Sequence, residues 1–233
     1  AAIDAGKVSP AMTYEDVGSV TIGPYTIKNS DGEAHGTQTM TQVLENSLNP
    51  GTIFVVRQLG AEPFADYVRQ FGFGEKTGVE LDTEATGDAS SLDKRGEIWS
   101  ATASFGQGIS ATPIQLVTAF GALANGGKLM KPTIIAEMRH PDGTVTRNEP
   151  KEVRQVVTKR AASLVSAMLV RVVENGHGKR AAVPGYYLAG KTGTAQVAKP
   201  GGGYEKDAFI GSFVGYAPVD DPGFVMLVKF DRP

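Results

Sequence analysis

Apolar residues recur at helical spacing through the first half of the chain and give way to strand-like runs near its end. Met40, Val43 and Leu44 fit a helix opened by Thr37 or Thr39. Ile53, Phe54, Val56 and Leu59 fit a second, with Pro50 in its first turn and Gly60 as its stop. The pattern predicts a third over 63–71 and a short one over 98–104. Thr112-Pro113 opens another, with Leu116, Val117, Phe120 and Leu123 on its apolar face and Asn125-Gly126-Gly127 as its end. Thr158 caps the longest, through Leu164, Val165, Met168, Leu169, Val172 and Val173 to Asn175-Gly176. Residues 133–139 and 144–147 alternate around Pro141-Asp142-Gly143 as a hairpin does, and 153–157 reads as a short strand. Three longer strands follow over 186–197, 209–216 and 224–230, separated by turn signals at 200–203 and 218–223. Residues 7–36 read as loop with short extended pieces, and 82–96 as polar and irregular.

A helical first half, then a long helix leading into an antiparallel meander, predicts an α+β fold: an antiparallel sheet flanked by helices, beside a helical lobe. The strand Gly211-Ser212-Phe213-Val214-Gly215-Tyr216 is apolar on both faces, so both faces of the sheet call for cover. Composition narrows function more than fold. With 233 residues, 41% hydrophobic and 21% charged, the chain suits one domain of two lobes. A net charge of -2 argues against an electrostatic nucleic-acid binder. No apolar run reaches the roughly 18 residues of a membrane span, and no signal peptide is visible. Without cysteine there are no disulfides and no thiolate metal sites.

Most routes to chemistry are closed. His35, His140 and His177 share no motif spacing, and there is no G-x-S-x-G, H-E-x-x-H, P-loop or EF-hand pattern. No cofactor and no metal is indicated. Glu80, Asp82 and Glu84 alternate like a solvated strand edge. Lys191-Thr192-Gly193-Thr194 is different. Lys191 supplies positive charge, Thr192 and Thr194 point to one side of a strand, and Gly193 permits close approach of another chain. That combination suits a grip on a substrate carboxylate. Taken alone it is equally a strand with a glycine kink, and Lys76-Thr77-Gly78 repeats the tripeptide elsewhere. Ser47-Leu48-Asn49 lies upstream at a helix end, where it reads either as a capping serine with a turn asparagine or as two side chains projecting into a cleft. Serine acylation without histidine uses a Ser-x-x-Lys nucleophile and base, a second serine in S-D-N, and K-T-G. Two of these three parts are present, in that order.

Ser104-Phe105-Gly106-Gln107-Gly108-Ile109, Thr112-Pro113-Ile114-Gln115-Leu116, Ala124-Asn125-Gly126-Gly127, Gly190 to Gln196 and Ser212 to Pro218 occur in series. Together with Ser47-Leu48-Asn49 they resemble the transpeptidase domain of class B penicillin-binding proteins, over essentially the whole chain. The resemblance implies the penicillin-binding protein and serine β-lactamase-like fold, with a helical lobe over about 37–130 and a sheet-containing lobe over about 131–233. It implies a peptidoglycan D,D-transpeptidase that cross-links stem peptides through a serine acyl-enzyme and is trapped by β-lactams. On that pattern Ser47 shuttles a proton to the leaving nitrogen, Asn49 bonds the substrate's amide, Lys191 supplies the field, and Thr192, Gly193 and Thr194 form the carboxylate-binding wall.

Partners implied are the D-Ala-D-Ala stem peptide, β-lactam antibiotics and the membrane cell-wall polymerase with division or elongation proteins. The location implied is extracytoplasmic, with an N-terminal membrane anchor outside this chain. The sole Ser-x-x-Lys, Ser91-Leu92-Asp93-Lys94, falls after Ser47 and in a polar stretch, so it is read as a decoy. The nucleophile is expected upstream of Ala1, on a companion fragment that also completes a sheet truncated at both ends. The chain alone is expected to be inactive. The other reading is a non-catalytic penicillin- or peptidoglycan-binding or sensor module.

Overall fold

Threonines set where the helices begin. The computed structural model describes residues 1–199 and 203–233. Four short strands come first: β1 (Thr13–Asp16), β2 (Ser19–Ile22), β3 (Tyr25–Lys28) and β4 (Gly36–Thr39). The short extended pieces expected within 7–36 are thus part of two antiparallel pairs, β1 with β4 and β2 with β3. Thr39, not Thr37, caps α1 (Met40–Glu45); its hydroxyl accepts from the Gln42 N–H while the Gln42 side chain returns to the Thr39 N–H. Thr37 belongs to β4. α2 (Asn49–Leu59), α3 (Ala61–Gln70) and α4 (Glu97–Ser104) complete the helical part near their predicted positions, with a short 3-10 turn at Ser90–Asp93. Thr112 caps α5 (Pro113–Ala124) with a second reciprocal box through Gln115.

β5 (Lys128–Met130) pairs with β8 (Glu152–Gln155), and β6 (Glu137–Arg139) with β7 (Val145–Arg147). β5 has no counterpart in the sequence reading. Thr158 caps α6 (Lys159–Glu174), and Asp4 closes the same node by accepting from the Thr158 N–H and hydroxyl. The main sheet has the order β11-β10-β9, all antiparallel, with β9 (Ala189–Ala198), β10 (Tyr204–Ala217) and β11 (Phe224–Asp231). The turn predicted at 200–203 falls largely outside the described residues.

α6 packs on β9, and α5 on β10 and β11. Leu169, Ala189 and Tyr216 form the buried contact there, and the Tyr216 hydroxyl meets Ser166 Oγ at 2.6 Å. A second core of Ala2, Val8, Met40, Val43, Leu48, Leu59 and Met168 joins the N-terminal segment, α1, α2 and α6. It seats the end of α1 over the sheet. Gln115 is a third organising residue, 1% exposed: its Nε2 donates to the carbonyls of Gly72, Glu75 and Thr86. Within this chain one face of β11 is left uncovered. Phe224, Met226, Val228 and Phe230 alternate along β11 on the face away from the helices and remain 38–61% exposed.

Candidate active site

Ser47 sits where a helix-ending glycine normally sits. α1 ends at Glu45, and the chain then closes a paired turn: the Ser47 N–H donates to the Leu44 carbonyl and the Leu48 N–H to that of Val43. This is a Schellman motif with Ser47 in its left-handed position, at φ +53. Val43 and Leu48 supply the apolar contact that accompanies it. A side chain at such φ costs roughly 1 kcal/mol relative to glycine. The motif thereby throws the hydroxyl outward instead of back onto the helix. The capping alternative is excluded, because the N-cap of α2 is Leu48 and makes no side-chain cap bond. The turn rests on the far end of α6. Gly176 lies so close to the Glu45 carbonyl that a Cβ there would collide with it; the His177 N–H donates to that carbonyl, and Arg171 pairs with the Glu45 carboxylate at 3.3 Å.

Lys191 arrives from β9, and its Nζ donates to Ser47 Oγ at 2.9 Å, joining residues 144 positions apart. Nζ also donates to the Thr192 carbonyl at 3.1 Å. Burial pushes the Lys191 ammonium down to about 8, with no carboxylate close enough among the described residues to hold it up. The result is a half-buried cation whose partners are a hydroxyl and a carbonyl, a place prepared for an anion.

β9 is an edge strand. The Thr192 carbonyl reaches Nζ, so it faces the free edge and not β10; alternation along an antiparallel strand aims the Thr194 N–H over the same edge. Gly193 opposes Ser212, and a Cβ there would stand 2.6 Å from Ser212 Oγ. The room left by the glycine is therefore used by the neighbouring strand. Thr192 is half-buried and Thr194 exposed, and neither hydroxyl is taken by a protein group among the described residues.

Asn49 opens α2 rather than lying in a loop. Its Nδ2 donates to the Lys28 carbonyl at 2.9 Å, so the end of β3 fixes the orientation of the amide. Sequence reading did not find this tether, nor Gly51, where a Cβ would lie 2.9 Å from the Tyr14 hydroxyl, nor Gly176. Gly51, just after Asn49, was the available signal; Gly176 meets Glu45 only in the fold and gave none. The other Ser-x-x-Lys is not assembled: Ser91 is 6% exposed with no hydrogen-bond partner for its hydroxyl, while Lys94 Nζ lies 4.3 Å from the Trp99 ring centroid.

A serine and a lysine brought together from opposite halves of the chain, beside an edge strand with free hydroxyls, can be compared with known proteins. Residues 1–233 match the family described as "Penicillin binding protein transpeptidase domain". Stage V sporulation protein D of Bacillus subtilis is 43% identical over 201 residues, covering 85% of this chain and 31% of that protein. Penicillin-binding protein PbpB of Mycolicibacterium smegmatis is 35% identical over 245 residues, covering all of this chain and 37% of that protein. Penicillin binding protein 3 from Mycobacterium tuberculosis, in its complex with ampicillin, superimposes with a TM-score of 0.93 at 36% identity, over 100% of this chain and 53% of that one. Other relatives bear the name peptidoglycan D,D-transpeptidase. The chain spans about a third of the length of these two curated relatives. The Ser47–Lys191 contact thus lies in a chain that belongs to the penicillin-binding protein transpeptidase domain family.

Proposed function

We propose that residues 1–233 supply the carboxylate grip and the proton shuttle of a peptidoglycan D,D-transpeptidase. The observation that carries this is the 2.9 Å contact of Lys191 Nζ with Ser47 Oγ. The nucleophilic serine comes from a companion segment bearing Ser-x-x-Lys, which also covers the apolar face of β11. Its Oγ attacks the penultimate D-Ala carbonyl of a stem peptide, and its proton passes to the companion lysine. The Thr194 N–H, aimed over the free edge, bonds the oxyanion that forms. Lys191 and the hydroxyls of Thr192 and Thr194 hold the terminal carboxylate, and Asn49 bonds the peptide amide. When the C–N bond breaks, Ser47 gives its proton to the departing D-Ala nitrogen and recovers one through the lysines. An amine of a neighbouring stem then attacks the acyl-serine and restores the enzyme. A β-lactam enters the same path and stops at the acyl stage. The location that fits this substrate is extracytoplasmic, with the cell-wall polymerase and division or elongation proteins as partners.

A second reading has its own support: the Ser91 and Lys94 side chains are turned to other uses, so residues 1–233 hold no assembled nucleophile among those described. On that reading the chain is a non-catalytic penicillin- or peptidoglycan-binding module. Labelling with a fluorescent penicillin separates the two. Residues 1–233 alone are expected to stay unlabelled, and the assembly with the Ser-x-x-Lys segment to be labelled on that segment's serine. An unlabelled assembly favours the binding module, and an adduct on residues 1–233 overturns both. Monomeric, fully folded 1–233 in ultracentrifugation removes the need for a companion. Ser47→Gly sharpens the test. It relieves the left-handed strain, raising stability by about 1 kcal/mol, while slowing acylation by roughly 10²-fold or more.

A further inference from the structure

We propose that Asp16 is a positioning residue for Asn49, acting through Asn29 and the Lys28 carbonyl; this rests on the reading of Asn49 as a substrate ligand. Asp16 closes β1 and is 1% exposed. Its carboxylate accepts from Asn29 Nδ2 at 2.8 Å, from the His35 N–H at 3.0 Å and, at the long distance of 3.4 Å, from the Gly18 N–H. All three donors are neutral, and no lysine or arginine pairs with it among the described residues. A buried carboxylate with no cation is an unusual element to place in so small a lobe, and it survives only where several donors converge on it.

What it organises is the loop between β3 and β4. Asn29, 4% exposed, is held on both sides: its N–H donates to the Gly18 carbonyl at 3.1 Å, and its Nδ2 also reaches the Glu33 carbonyl at 3.0 Å. The peptide that joins Lys28 to Asn29 is therefore fixed in orientation by the Asp16 node. The Lys28 carbonyl at the other end of that peptide receives Asn49 Nδ2 at 2.9 Å. With one Nδ2 proton engaged there, Asn49 keeps Oδ1 and its second amide proton for a ligand. The orientation of a substrate-binding amide is thus set by a carboxylate that never meets the substrate. Gly18 supports the same loop, since a Cβ there would press to 3.0 Å on the Glu33 carbonyl.

The test is a double-mutant cycle on the second-order rate of acylation by a fluorescent penicillin, in the enzyme assembled with its Ser-x-x-Lys segment. Asn49→Ala is expected to slow acylation about tenfold, the loss of one buried hydrogen bond and the misplacement that follows. Asp16→Asn is expected to slow it about fivefold in the parent and not at all in the Asn49→Ala background, because the two act on one coordinate. Asn29→Ala cuts the middle link without altering the buried charge and is expected to repeat that coupling, which keeps the test open should Asp16→Asn fail to fold. Equal slowing by Asp16→Asn or Asn29→Ala in both backgrounds, or a drop in melting temperature with unchanged acylation, overturns the proposal. Unchanged acylation in Asn49→Ala removes the reading of Asn49 itself, and the proposal with it.

Discussion

Two Lys-Thr-Gly runs occur in one chain, and they differ in what their donors meet: one closes on a carboxylate of the chain itself, the other keeps its hydroxyls unclaimed among the described residues. At Lys76-Thr77-Gly78 the anion is internal: Glu84 accepts from the Thr77 N–H at 2.7 Å, from the Thr77 hydroxyl at 2.6 Å and from the Gly78 N–H at 3.0 Å. The Glu80-Asp82-Glu84 stretch is accordingly no strand edge; Glu80 likewise anchors Thr133 and the Ile134 N–H. At Lys191-Thr192-Gly193 the backbone is locked in a sheet, the hydroxyls are unclaimed, and the lysine is partly buried with a serine as partner. The tripeptide carries the same donors in both places. A turn lets it close on a nearby glutamate, while a strand edge prevents closure and leaves the donors for something that arrives from outside.

The largest effect should come from the lysines. Lys191→Met is expected to lower acylation of the assembled enzyme by roughly 10²-fold, the scale of a charge-assisted hydrogen bond lost in a shielded site. Lys76→Met should leave the rate within about twofold. Equal losses would erase the distinction between the two runs. Next comes pH. On the function proposed above, the charged form of Lys191 binds the carboxylate, and burial holds its value at about 8. Grip is therefore full below that value and is lost as pH rises through it. The second-order acylation rate, which reports the free enzyme, should fall about tenfold between pH 7 and pH 9 by this limb alone. The limb should vanish in Lys191→Met and persist in Lys76→Met.

The glycines give a smaller contrast. Gly193→Ala must displace the Ser212 hydroxyl and should slow acylation by about fivefold. Gly78 has φ +77, so Gly78→Ala should instead lower the melting temperature by roughly 2–4 °C with acylation unchanged. The least effect belongs to acid. Partial burial works against the Glu84 carboxylate, yet the Thr77 and Gly78 donors win and hold it below the usual glutamate range. A depressed carboxyl contributes above its unfolded value and ceases to as pH falls through the folded one. Amide protection at Thr77 and Gly78 should persist at pH 7 and be lost as pH falls below the usual glutamate range. Protection that survives full protonation of Glu84 would mean that the turn does not depend on its glutamate.

How much of this was legible depended on whether the cause was local. Thr112 and Thr158 announced their helices because a cap acts over three residues; Thr37 and Thr39 stayed open as alternatives until the reciprocal bond with Gln42 decided for Thr39. The three long strands were visible in their apolar runs. β5 was not, since three residues carry no period and its partner lies more than 20 positions away. Of the site, the residue types at Ser47 and Lys191 could be read, as could their order. Their contact could not, because it depends on α6 carrying the end of α1 to β9. The left-handed turn at Ser47 was hidden for a different reason: the residue that marks such a turn is glycine, and here a serine stands in its place. Asp16 was hidden because two of its donors are main-chain N–H groups, which look alike in every sequence.

One amide has a consequence for how this lobe tolerates change. Gln115 holds the backbone carbonyls of Gly72, Glu75 and Thr86, none of which needs a particular side chain for that contact. The stretch from 72 to 86 is thus moored from the helix side as well as by its own Glu80 and Glu84. Changes between the three mooring points that spare Thr77, Gly78, Glu80 and Glu84 should be absorbed there while the helices stay put, whereas the conservative exchange Gln115→Glu strips the donor from all three at once. Sequence drift can run through the remaining positions of this loop as long as a single position in α5 does not move with it.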